Sequence, residues 1–149
     1  MHKWFEVGIR YEKVMDNGKS KKVTEPYLID ALSFTEAEAR IIENVTPYIS
    51  GEFSVRTIKP ANICELFRNN QGVRFYKCKV NFISLNKKGK EKRTASYMLV
   101  EANSTDAAEK RLKEGMEGTM ADYDIEAIVE TKIMDVYPYE APAETEENK

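Results

Sequence analysis

The side chains with chemistry to offer are basic and aromatic, and they gather in two places. Lys19, Lys21 and Lys22 form one group; Lys87, Lys88, Lys90, Lys92 and Arg93 form the other. Arg10 precedes the first group, and Lys77 and Lys79 precede the second, at the spacing of outward strand residues. Closely spaced cations neutralise a phosphate backbone and release its counter-ions. Trp4, Phe75 and Tyr97 accompany them, and exposed rings of this kind stack on unpaired bases. These fourteen positions are the expected nucleic-acid contact. The same lysines have a second reading: charge at hairpin tips and strand edges keeps sheets from pairing edge to edge.

Other chemistry is thinly supplied. Catalysis needs a positioned acid, base or nucleophile. The single histidine is His2, at a terminus, so no Ser/His/Asp or Cys/His set can be assembled around it. The glycines are scattered and form neither GxGxxG nor GxxxxGK[ST]. Asp122, Asp124 and Glu126 alternate along a strand pattern, which reads as a solvated face before it reads as a metal site. Cys64 and Cys78 are too few for a disulfide framework and lack partners at zinc-ligand spacing. They read as two reduced, buried thiols. No catalytic residue, metal ligand or cofactor site is therefore expected. The expectation is a non-enzymatic binding module that contacts nucleic acid through two basic hairpins. The alternative is a protein–protein adaptor or homo-oligomer built by sheet-edge pairing.

The elements that must carry these residues follow from periodicity. Trp4 to Val14 alternates, with Phe5, Val7, Ile9 and Tyr11 on one face, as a half-buried strand does. Asp16-Asn17-Gly18-Lys19 predicts a type I′ hairpin turn. A second strand is expected over Lys21 to Ala31. Ser33 and Glu36 make a capping box for a helix to about Val45. Its buried stripe is Ala37, Ile41 and Val45, with Glu36, Glu38, Arg40 and Glu43 in water. Thr46-Pro47 ends it. A long extended segment, Glu52 to Phe67, is bent at Pro60, and a polar stretch from Arg68 to Gly72 follows.

That order then recurs. At an offset of 71, Gly18 falls on Gly89, Leu28 on Leu99, Ala31 on Ala102, Ser33 on Ser104, Ala37 on Ala108 and Arg40 on Arg111. Past the second helix the offset becomes 70: Phe53 meets Tyr123, Val55 meets Ile125 and Ile63 meets Ile133. The second copy is a strand over Arg74 to Leu85, a turn over Asn86 to Gly89 and a strand over Lys92 to Ala102. A helix from about Ser104 to Gly115 and a strand over Asp122 to Tyr137 complete it. The predicted fold class is α+β: a tandem duplication of a β–β–α–β unit, about six mainly antiparallel strands and two helices, related by a pseudo-two-fold. The first repeat is residues 1–70 and the second 71–139, packed as one globular body in one sheet or two. Each copy alone is marginal in size.

The chain has 149 residues, 42% of them apolar and 32% charged, with a net charge of −2. A near-neutral average argues for no global attraction to nucleic acid or membrane, so any attraction must be local. Residues 140–149 carry Glu140, Glu144, Glu146 and Glu147 against Lys149 and are expected to be a disordered acidic tail able to cover the basic surface. No apolar run approaches 18 residues and no signal core follows the start, so a cytoplasmic protein without a membrane partner is expected.

Trp4-Phe5-Glu6-Val7, the Lys-rich hairpin, Leu28-Ile29-Asp30-Ala31 and Phe34-Thr35-Glu36-Ala37-Glu38-Ala39 together resemble an uncharacterised family. Its members are small proteins found widely in Bacteroidales genomes and their phages and mobile elements. The resemblance covers all but the tail. It carries no activity, cofactor or catalytic residue, and implies a cytoplasmic accessory protein of phage or mobile-element ancestry. The order β–β–α–β is also similar to the repeated unit of a large-subunit ribosomal protein of archaea and eukaryotes, a likeness of architecture alone.

Overall fold

The computed structural model describes residues 3–69 and 71–139; His2 and the acidic tail, residues 140–149, lie outside them. The elements in order are β1 (Lys3–Val14), β2 (Ser20–Ala31), α1 (Phe34–Val45), a 3₁₀ turn (Thr46–Tyr48), β3 (Phe53–Pro60), β4 (Glu65–Phe67), β5 (Arg74–Leu85), β6 (Glu91–Ala102), α2 (Thr105–Gly115), β7 (Asp122–Glu130) and β8 (Val136–Tyr137). They form an α+β protein with two four-stranded sheets, ordered β3-β1-β2-β8 and β4-β6-β5-β7.

Among the described residues the count is eight strands rather than about six, because each long third strand is broken. β3 and β7 pair antiparallel with β1 and β5, as the alternation implies. Pro60 has no N–H to continue a ladder, and after it the chain leaves its sheet. Its continuation, β4, pairs parallel with β6, and β8 likewise pairs parallel with β2. Both sheets are therefore mixed. Two compact units result: residues up to Ala61 together with those from Ile133, and Asn62–Lys132.

In the first unit β1 and β2 pair from Lys3↔Ala31 to Val14↔Ser20. The tip is not type I′. Gly18 N–H donates to Met15 O at 2.9 Å and Met15 N–H to Lys19 O at 2.8 Å. This closes a three-residue loop with Gly18 at φ +82°, a conformation in which a Cβ would clash with its own backbone. Ser33 Oγ accepts from Glu36 N–H at 3.1 Å, and Glu36 Oε1 accepts from Leu32 N–H at 2.7 Å, which starts α1. Ala37, Ile41 and Val45 of α1 pack on Phe5, Val7, Ile9, Tyr27 and Ile29.

The second unit uses the same devices. Gly89 N–H donates to Asn86 O at 2.9 Å, with Gly89 at φ +79°. Ser104 Oγ accepts from Ala107 N–H at 3.1 Å. Ala108 and Leu112 of α2 pack on Tyr76, Cys78, Val80, Met98 and Val100.

Arg40 is half-buried rather than in water. It donates to Asp30 O and, at 3.2 Å, to Pro138 O just past β8. Arg111 donates at 2.8 Å to Arg68 O just past β4. Each helix thus holds the end of a short strand that two or three residue pairs alone secure.

Candidate nucleic-acid interface

A helix covers one face of each sheet, so alternate strand residues fall on the helix-free face. The expected contact residues divide accordingly. Trp4, Arg10 and Lys22, and in the second unit Phe75, Lys77, Lys79, Arg93 and Tyr97, occupy helix-free register positions. Lys21 and Lys92 alternate to the other face, and Lys19, Lys87, Lys88 and Lys90 belong to the turns. Within neither unit do they make one array.

Their surroundings differ more than their positions. Phe75 is only 5% exposed, with the Arg68 guanidinium 5.9 Å from its ring centre, so the expectation of an open stacking ring there is corrected. Trp4 and Tyr97 are half-buried, and Lys77 Nζ lies 4.8 Å from the centre of the Tyr97 ring. Lys79 pairs with Glu126 at 3.1 Å. Arg93 pairs with Asp124, and with Glu91 at 3.5 Å. Asn81 donates to Glu126 at 2.8 Å and to Asp124 at 3.4 Å, joining the two acids. The hydrogen bond from Arg93 holds Asp124 below the usual carboxylate range. Asn81 first, then Lys79, does the same for Glu126. In return Lys79 and Arg93 are raised by their bonds to these acids.

Asp124 and Glu126 are therefore engaged by cations. Among the described residues no three His, Cys, Asp or Glu side chains lie close enough to share a metal ion. The cysteines are not alike: Cys78 is buried, its thiol pushed up to about 11 by that burial, whereas Cys64 is exposed. Cys64 lies between β3 and β4, outside any strand, so the expectation of a buried thiol fails there.

The first unit presents a different surface. The side chains of Arg10, Lys19, Lys21 and Lys22 make no ion pair among the described residues. Arg10 and Lys22 border an open cavity of about 790 Å³, with Tyr11 and Phe53 as its rings, Ser54 as a hydroxyl, and Glu12 and Glu52 as its acids. Tyr11 donates to Glu25 at 2.6 Å; burial and that carboxylate raise its pKa far above the ordinary tyrosine value, so it stays neutral. Sequence reasoning missed Ser54 as the companion of Arg10. Only the register Arg10↔Ser54 brings them together, and a register is not written in a single strand's alternation. The neighbouring pair Tyr11↔Phe53 alternates to the helix side and packs on the core.

A family model described as "Domain of unknown function (DUF4494)" matches residues 3–139. The chain belongs to this family. No curated protein and no solved structure matches it. Membership in DUF4494 thus fixes the extent of the domain, β1 to just past β8, and leaves its role to be argued from geometry. Among the described residues of this DUF4494 chain no helix is long and apolar enough to cross a membrane.

Proposed function

We propose that this chain is a non-enzymatic module that binds nucleic acid. The observation supporting it is the state of the hairpin-tip lysines. Lys19, Lys21 and Lys22 at one tip, and Lys87, Lys88, Lys90 and Lys92 at the other, are exposed and have no ion-pair partner among the described residues. Lysines kept only for solubility tolerate acidic neighbours, whereas unneutralised tips retain the charge that a phosphate backbone attracts. The test is fluorescence anisotropy of a labelled oligonucleotide titrated with the protein at several salt concentrations. Binding at low salt, with log K falling linearly in log salt, is expected; no binding at low salt refutes the reading.

The reading includes descent from one copied β–β–α–β unit with a pseudo-two-fold relation. It is supported by coincident registers, serine-capped helices and bulges at Gly8/Ile9 and Lys79/Val80. It also includes residence in the cytoplasm, in keeping with two free thiols. Ancestry in a phage or mobile element follows the family resemblance. A second reading, an adaptor or homo-oligomer, is favoured by the outer edges of β3 and β7, which no described strand pairs. Bulges, Lys59 and Pro60 blunt these edges, which ranks it second. A stable dimer by light scattering that dissociates when Val129, exposed on β7, is changed to Lys would reverse the order.

A further inference from the structure

We infer that, beyond the lysines of the two hairpin tips, the helix-free face of the first unit alone carries a phosphate anchor, and that it takes a single-stranded rather than a duplex nucleic acid; this rests on the reading just given. The inference comes from comparing the same register positions on the two helix-free faces. In the first unit Arg10 lies between Thr24 on β2 and Ser54 on β3. In the second the corresponding residue is Asn81, between Ala95 and Asp124. Lys22 corresponds to Arg93 by its place in the hairpin. The extra residue of the bulge is Arg56 on β3, where 57 meets Gly8 and 55 meets Ile9; on β7 it is Glu126. The second unit thus sets Asp124 and Glu126 against Arg93 and Lys79, and all four are consumed in ion pairs. The first unit has Ser54 and Arg56 at the places of those acids. Arg10, Lys22 and Arg56 keep their charge, with no ion pair to any of them among the described residues.

What this arrangement recognises follows from its parts. A guanidinium flanked across the strands by two hydroxyl residues offers planar paired donors and further hydrogen bonds to a phosphate. Glu12, which faces Lys22, and Glu52 lie among the cavity-lining residues. They bias against a small polyanion filling the cavity and leave Arg10 as the anchor. Tyr11 and Phe53 also line the cavity, but they alternate to the helix side and pack on the first unit's core. The half-buried Trp4 is the ring on Arg10's own face, and a ring on the face that carries the phosphate contact serves a strand whose bases are unpaired.

The test uses the full chain and two fluorescein-labelled probes, a twelve-residue oligothymidylate and a twelve-base-pair duplex, read by anisotropy at fixed low salt. Ser54→Asp imports the second unit's device onto an exposed strand position and is expected to lower oligothymidylate affinity at least tenfold. Arg10→Gln is expected to lower it about fivefold and to reduce the salt slope by about 0.7, one single-strand phosphate contact. Lys79→Gln is expected to change affinity less than twofold, and Asp124→Ser, which frees Arg93, to raise it at least twofold. The oligothymidylate should bind more tightly than the duplex. Circular dichroism confirms that each variant is folded. Wild-type binding that is insensitive to Ser54→Asp and Arg10→Gln, equal loss in Lys79→Gln, no gain in Asp124→Ser, or preference for the duplex overturns this inference while leaving nucleic-acid binding intact. Failure of the wild-type chain to bind either probe overturns both.

Discussion

The two units differ least where they are buried and most where they are wet. Under the helices, Val7, Ile9, Ile29, Ala37 and Ile41 of the first correspond to Cys78, Val80, Val100, Ala108 and Leu112 of the second: all apolar, identical in the alanine pair alone, at equivalent strand and helix positions. On the helix-free faces the same positions change in sign and kind: Arg10 against Asn81, Ser54 against Asp124, Arg56 against Glu126. A core tolerates apolar exchange if volume and pattern are kept. On the other face Leu28, Leu99 and Asn81 are buried, but the exposed positions, Arg10, Ser54, Arg56 and Glu126 among them, are free to change charge without touching that core. One scaffold can therefore hold open cations on the helix-free face of one unit and self-neutralised ones on that of the other.

The sharpest way to break the likeness is to remove core volume. Ile41 and Leu112 are both fully buried at matching helix positions. Ile41→Ala and Leu112→Ala should each cost about 2–5 kcal/mol by urea denaturation, from lost burial and the cavity left behind. If one costs under about 1 kcal/mol, that helix is not anchored as its counterpart is, and the equivalence of the units fails.

A smaller effect separates the two strand ends. Arg40→Ala and Arg111→Ala each remove charged donors from backbone carbonyls, worth about 1–3 kcal/mol apiece. The effects should also be local. Leu28 N–H donates to Asp135 O at 3.1 Å beside β8, and Cys64 N–H to Tyr97 O at 2.8 Å beside β4. Hydrogen exchange should quicken at Leu28 in Arg40→Ala and at Cys64 in Arg111→Ala. If either variant loosens neither amide, the arginine does not hold its strand end.

Those arginines mark where sequence reading stopped. The hairpins, both serine caps and the stripe Ala37, Ile41, Val45 were legible, because each rests on contacts within a few residues or on a strict period. The break at Pro60 was legible as a bend, but not where the chain went next. Pairing of β4 with β6 and of β8 with β2 joins residues far apart in the chain, and local pattern does not report it. For the same reason Arg40 looked like a solvated helix residue: its partners, Asp30 O and Pro138 O, are backbone atoms that no side-chain pattern announces. The cations were found by type, but which of them are neutralised depends on the register of β7 against β5. Sequence alone therefore could not separate the paired Lys79 and Arg93 from the tip lysines.

The smallest predicted effect probes that neutralisation through pH. Asp124 is depressed by Arg93, and Glu126 by Asn81 and Lys79. The folded protein then keeps both charges at a pH where the unfolded chain, with carboxyls near about 3.9–4.3, is taking up protons. Their stabilisation is present above that range and is lost as pH falls through the lower folded values. The pair is open to water, so the effect is modest and weakens with salt. The double variant Asp124→Asn, Glu126→Gln should be less stable than the wild type at pH 7, and the gap should close as pH falls from about 5 to about 3. A gap that stays constant across that range would mean the two carboxylates contribute through shape rather than charge. The first unit, with Ser54 and Arg56 in their places, would then owe its open cations to something other than the absence of these acids.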